Sequence, residues 1–281
     1  MNSIRIKGGG DAAPFVLEAG IGGSDVAWHW LRAFLAPQAL VLSSDRATLR
    51  RAAGGSTHDA ALKPLLWEHL RLPAVMIGHS LGALYALRYA LLHPRDVRAL
   101  VLLDPAPDDP IVYPGSPSRL WRALFMVATQ AQAGLLQLRR LRASLGLSAP
   151  SAVQLAQLRE AGLPEDIAAA LAHQFTEPDF LGNLAHEVRA TAALQAEVQR
   201  LMRSAALPPV LVISAGRHAP ATGAIARYYE MAAQRHLALS RLSAGSEHRV
   251  LAQADHNSIV ARREHAQEAA RMILDFCARL S

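Results

Sequence analysis

The stretch Ala74-Val75-Met76-Ile77-Gly78-His79-Ser80-Leu81-Gly82-Ala83-Leu84-Tyr85-Ala86-Leu87 decides how the chain reads. Its first four residues are apolar and partly β-branched, the composition of a strand buried on both faces. From Leu81 the apolar and small residues continue at helical length until His93-Pro94 stops them. Gly78-His79-Ser80-Leu81-Gly82 must therefore turn a strand into a helix within a few residues. A serine at the apex of such a turn is held in a strained backbone, and glycines two positions to either side let the chain pass closely. Its hydroxyl then stands clear of the sheet. The Leu81 N–H, at the start of the helix, can face a developing oxyanion with the helix dipole behind it. Ser80 is the candidate nucleophile and Leu81 a candidate oxyanion donor.

Outward from this turn, short runs rich in Val, Ile and Leu alternate with longer helical stretches, as in a parallel sheet with crossover helices. Strands are expected at 15–18, 40–43, 74–77, 99–103, 210–214 and 249–252, with 4–7 as an edge strand. Helices are expected near 25–35, 58–70, 81–92, 221–237 and 260–280. Residues 108–207 break the rhythm with amphipathic helical segments and no convincing strand, separated by turn signals at 146–150, 162–164 and 177–178. The expectation is an α/β core made of 1–107 and 208–281, with 108–207 inserted as a helical cap.

The other Gly-rich segment, Ala19-Gly20-Ile21-Gly22-Gly23-Ser24, follows the strand at 15–18. Small residues let this backbone approach Ser80, which makes the Ile21 N–H the natural second oxyanion donor. A phosphate-cradling loop is the rival reading. No Lys-Ser/Thr pair follows Gly23 and the spacing is not G-x-G-x-x-G, so a nucleotide is disfavoured.

Composition narrows the class further. With 281 residues, 51% of them hydrophobic, the chain can bury a large core. The formal charge of +6 raises nucleic acid as a partner, but the arginines are dispersed and Lys occurs only at Lys7 and Lys63. No nucleic-acid partner is expected. Cys277 is the only cysteine, so an internal disulfide and a cysteine zinc site are both excluded. No secretory leader is visible, and 120–138 is too interrupted by polar residues to span a membrane. A cytoplasmic location, no metal and no cofactor are expected; oligomeric state is not legible.

The two loops, together with Ser44-Asp45-Arg46-Ala47 and Leu102-Leu103-Asp104-Pro105, resemble the α/β-hydrolase superfamily. The likeness is to its bacterial esterase and lipase-like branch, in which Glu-Ala-Gly-x-Gly-Gly-Ser stands where many relatives carry His-Gly. Thr48-Leu49-Arg50-Arg51 departs from the family's usual Gly-x-Gly after the second turn. Epoxide hydrolases and haloalkane dehalogenases of this fold resemble one another in using an aspartate nucleophile, which sets Ser80 apart from both.

A serine hydroxyl needs a neutral imidazole to take its proton. Of twelve histidines, His256 follows the last expected strand on the side where parallel sheets carry their sites, whereas His248 precedes that strand. The resemblance also implies the chain order nucleophile, acid, histidine, and Ala254-Asp255-His256-Asn257-Ser258 is similar to the family's histidine loop. His79, beside the nucleophile, reads as a packing or orienting residue. The acid must hold the imidazole. Relatives often supply it after the strand equivalent to 210–214, but Ala215-Gly216-Arg217-His218-Ala219-Pro220 has no carboxylate. Others supply it at the position of Asp104; Asp108, Asp109 or no acid at all remain as alternatives.

The cap helix beginning near Trp121, with Leu124, Phe125, Val127, Ala128 and Leu135, has a broad apolar face, either packed or lining a lipophilic pocket. Trp121, Phe125 and His218 are candidate substrate contacts. The resulting expectation is a cofactor-independent hydrolase of a carboxylic ester or lactone, working through an acyl-enzyme on a small-molecule substrate. Amidase, thioesterase, carbon–carbon bond hydrolase, acyltransferase and perhydrolase activities use the same residues, and a non-catalytic binding protein on this scaffold is the alternative of another class.

Overall fold

The computed structural model describes residues 4–10, 12–52, 54, 57–106, 119–204, 206–218 and 220–280; the side chains of 52, 119–126, 224, 225, 227 and 228 lie outside that description. Asp108 and Asp109 fall outside it, as do the side chains of Trp121 and Phe125.

Seven strands form one sheet in the order β1-β3-β2-β4-β5-β6-β7. They are β1 (Ile4–Lys7), β2 (Phe15–Glu18), β3 (Val41–Ser44), β4 (Ala74–His79), β5 (Val97–Leu103), β6 (Val210–Ala215) and β7 (Glu247–Leu251). Only β1 is antiparallel, pairing at the edge with β3; every other pair is parallel. The helices are α1 (His29–Leu35), α2 (Arg46–Ala52), α3 (His58–His69), α4 (Leu81–Leu92), α5 (Arg119–Ser144), α6 (Ala152–Glu160), α7 (Glu165–Gln174), α8 (Pro178–Met202), α9 (Gly223–Leu239), α10 (Ser258–Ala261) and α11 (Arg263–Ala278).

Side chains alternate across a strand, and here the alternation sorts two cores. Leu17, Val75, Ile77, Val101 and Ile213 face α1 and α11, meeting Leu31, Leu35, Ile273 and Phe276. Val16, Met76, Leu100, Leu102 and Val212 face the other way, toward Leu62 and Leu66 of α3 and Leu84 and Leu87 of α4. Both faces are covered, which is why the central strands read as continuous apolar runs.

Helices α5 to α8 lie between β5 and β6 in the chain. The first half of α8 packs Leu181, Ala185 and Val188 against Ala133 and Leu136 of α5. Its second half inserts Leu194 and Val198 into the core beside α4. Leu163, Ala168 and Leu171 around α7 rest near Val26 and Trp30.

Several boundaries differ from the sequence reading for local reasons. β4 runs on through Gly78 and His79, which pair with Leu102 and Leu103 of β5. The stretch 25–35 divides into a 3-10 turn, Asp25–Trp28, and α1, and the last helix is interrupted at Arg262, where the backbone is extended. The turn at Asp45 opens α2, with the Asp45 carboxylate accepting the Thr48 N–H at 2.9 Å as a helix-starting bond. β7 begins at Glu247, so His248 lies within the strand and not before it.

Candidate active site

Ser80 has φ 53° and Asp104 φ 40°, and they are the only non-glycine residues with positive φ among those described. Such conformations persist only where surroundings over-determine them. The Ser80 N–H donates to Leu103 O at 3.1 Å, Ala106 N–H donates to Ser80 O at 3.0 Å, and Asp104 N–H donates to Ile213 O at 2.8 Å. The flanking glycines are required by contact as well. A Cβ on Gly78 would strike the Ala83 backbone, and one on Gly82 would overlap the carbonyl oxygens of Glu18 and Ala19.

His256, in the loop after β7, lies between Ser80 and Asp104. Its Nε2 is 3.0 Å from Ser80 Oγ, and its Nδ1 is 2.6 Å from Asp104 Oδ2. Asp104 Oδ1 accepts the Ala215 N–H at 3.0 Å, so the β6 end that lacks its own carboxylate instead braces this one. Burial alone would raise the Asp104 carboxyl; the hydrogen bonds from His256 and Ala215 and the nearby imidazoles hold it below the ordinary range. An imidazole between a hydroxyl and a carboxylate can take the hydroxyl's proton while the carboxylate stabilises the resulting imidazolium.

His79 points away from this line. Its Nε2 bonds the His256 carbonyl at 2.7 Å, and its Nδ1 lies where a Cβ on Gly20 would come within 3.2 Å. Burial first, and then His256, push its pKa down to about 4. A neutral, buried His79 thus ties the histidine loop to the strand end beside Ser80. Behind Asp104, Ser214 Oγ is 2.8 Å from both His236 Nδ1 and His248 Nε2, while His236 Nε2 donates to Pro105 O at 3.0 Å. With that proton on Nε2, His236 Nδ1 accepts from Ser214, and His248 donates to Ser214.

The Gly20–Ser24 loop passes directly over Ser80; a Cβ on Gly20 would lie 3.4 Å from Ser80 Cβ. Among the described residues no acceptor takes the Ile21 N–H, and Leu81 N–H opens α4, where helical N–H groups have no intrahelical partner. Sequence reasoning missed what holds this loop. Arg46 is fully buried and donates to the carbonyls of Ala19 and Gly20. Its Nε donates to Glu187 Oε1 at 2.7 Å, and Glu187 Oε2 in turn accepts Gly22 N–H at 2.7 Å. Asn183 Nδ2 donates to Gly22 O at 3.1 Å. Burial opposes both charges, yet the pair keeps Arg46 raised and Glu187 lowered. The available signal was a glutamate within the apolar run of α8; its partner stands 141 residues away.

A cleft of about 760 Å³ opens over Ser80. Its walls include Ile21, His79 and His256 from the core side, and Leu158, Leu171 and Phe180 from the helical segment. His218 is not among its lining; the ring stacks on Tyr229 with centroids 4.3 Å apart. Nor do Val127 and Leu135 line it, for both point to solvent. Among the described residues no cluster of His, Cys, Asp and Glu has the form of a metal site, and no helix is long and apolar enough to cross a membrane.

Comparison with known proteins agrees with this architecture. MenH from S. aureus superposes with a TM-score of 0.66 at 16% identity, covering 100% of this chain and 99% of that one. The enol-lactonase from Burkholderia xenovorans LB400 gives 0.64 at 20% identity, over 98% and 95%. A mutant of a candidate epoxide hydrolase from Pseudomonas aeruginosa gives 0.65 at 18% identity, over 99% and 93%. At these identities the likeness establishes the fold, and the last two names describe different reactions. No curated protein matches the chain. The sequence model of the Alpha/beta hydrolase family matches residues 15–271, and with the seven-stranded sheet and the Ser80 turn in place, the chain belongs to that family.

Proposed function

We propose that the protein is a serine hydrolase that cleaves a carboxylic ester or lactone through an acyl-enzyme. The observation that carries the reading is the unbroken line from Ser80 Oγ through His256 to Asp104, with separations of 3.0 and 2.6 Å, at the floor of a cleft. Ser80 Oγ attacks the carbonyl carbon as its proton passes to His256 Nε2, and the N–H groups of Ile21 and Leu81 receive the oxyanion. Collapse of the intermediate breaks the ester C–O bond, and the leaving oxygen takes the proton from His256. Water then repeats the sequence on the acyl-enzyme, releasing the acid and restoring Ser80.

Asp104 is the acid, holding the Nδ1 proton of His256. Arg46 and Glu187 keep the oxyanion loop in place. Helices α6, α7 and the first half of α8 serve as the cap, because Leu158, Leu171, Phe175 and Phe180 give the cleft an apolar wall suited to a medium-length acyl chain. The test is hydrolysis of a p-nitrophenyl ester series by wild type, Ser80→Ala and His256→Ala. Wild-type turnover lost in both variants is expected; a wild type inactive on every ester, or variants that retain full activity, would defeat the proposal.

A further inference from the structure

Helix α5 is apolar on two opposite sides. One side, with Ala133 and Leu136, is buried against α8. At 100° per residue the other side collects Val127, Ala131, Gly134, Leu138, Leu141 and Leu145 into one stripe, stepping by three and four residues along the helix. Val127, Leu138 and Leu141 on that stripe, Leu145 one residue past the helix end, and Leu135 at its margin are each between 58% and 65% exposed. Scattered exposed leucines need no explanation, but a continuous stripe on one helix face marks an interaction surface.

Charge selects the partner. From Arg119 to Leu158 the chain carries five arginines and no Asp or Glu. Arg139 and Arg142 are exposed along one margin of the stripe, and neither has an ion-pair partner among the described residues. An outward apolar face bordered by unpaired arginines has the composition of a helix that lies in the headgroup layer of a negatively charged bilayer. A second copy of the chain fits less well, since self-pairing would bring two acid-free, arginine-bearing faces together.

We propose that the outward face of α5 docks on an anionic lipid surface. The leucines enter the acyl boundary while Arg139 and Arg142 meet headgroup phosphates. The neighbouring helix α6 carries exposed Val153 and also contributes Gln154 and Leu158 to the cleft. The proposal does not depend on the chemistry at Ser80.

The experiment is co-sedimentation of the full chain with vesicles of phosphatidylcholine alone and of phosphatidylcholine mixed equally with phosphatidylglycerol. Wild type is expected to partition onto the anionic vesicles and to be released by salt. Combined Leu138→Gln, Leu141→Gln and Leu145→Gln should weaken partition at least about tenfold. Arg139→Gln with Arg142→Gln should weaken it by about fivefold per arginine, on anionic vesicles only. Should the leucine variant misfold, as circular dichroism would reveal, the arginine variant alone decides. Equal partition onto both vesicle types, no partition, or unchanged binding by folded variants overturns the proposal. So does a wild-type dimer, seen by sedimentation velocity, that the leucine variant dissociates.

Discussion

Helices α4 and α5 are both rich in alanine and leucine, and the molecule uses them in opposite ways. α4 buries nine of its twelve residues, among them Leu81, Gly82 and Leu84. It is enclosed by β4, α3 and the second half of α8, so the Ser80 backbone at its start has no room to relax. α5 has one packed side, against α8, and leaves its leucines in solvent. Apolar periodicity thus reports that a helix has a face to cover, but not what covers it. The region around α4 is where a substitution should cost most, and α5 is where it should cost least.

The largest effect belongs to Asp104. Asp104→Asn should lower kcat on a p-nitrophenyl ester by about 10⁴-fold, because the amide would favour the wrong imidazole tautomer. Retained activity would remove Asp104 from the proposed triad. Next comes the clamp on the proposed oxyanion loop. Arg46→Met leaves Glu187 buried without its cation and should cost about 3–5 kcal/mol in urea unfolding. Glu187 must then titrate upward, and a second change, Glu187→Leu, should recover part of the loss, since it removes the unpaired carboxylate but leaves the Gly22 N–H without its acceptor and Glu18 without the same cation. If Arg46→Met were neutral, the Arg46–Glu187 pair would not be what fixes the loop.

A smaller effect follows from His79. The folded protein keeps this imidazole neutral down to about pH 4, whereas an unfolded chain protonates it near 6.5. The unfolded state therefore binds the extra proton between those values, and stability falls as pH drops through that window, by about 3 kcal/mol. His79→Gln should flatten the decline while retaining a donor for the His256 carbonyl. An unchanged pH profile would contradict the buried neutral state. Smallest of all, Leu138→Gln on the outward face of α5 should shift stability by no more than about 0.5 kcal/mol. A loss of several kcal/mol there would mean the stripe is packed, and the contrast with α4 would fail.

How far the sequence could be read tracks the range of the forces involved. β2 and α4 carry the same limits in the sequence reading and the structure, because a run of apolar residues and its stop signals are local. The family resemblance places a turn at Ser44-Asp45-Arg46-Ala47 and no helix is expected after it; the Asp45 bond that starts α2 is the overlooked sign. Ser80, His256 and Asp104 could be nominated from strand ends, and they do converge. The Arg46–Glu187 pair could not, because nothing near Glu187 announces a partner 141 residues earlier in the chain. His218 was nominated by its place after β6, but the chain carries it away to Tyr229. The apolar residues of α5 were expected to be packed or to line a pocket. Val127 and Leu135 do neither, because α8 covers only the opposite side.

Ser80 is the proposed nucleophile, activated by His256. The most direct test is to treat the protein with a fluorophosphonate and locate the adduct by peptide mass spectrometry. One phosphonylated residue, Ser80, is expected, with labelling abolished in Ser80→Ala and strongly slowed in His256→Ala. An unlabelled wild type, or an adduct on another residue that survives Ser80→Ala, would contradict it.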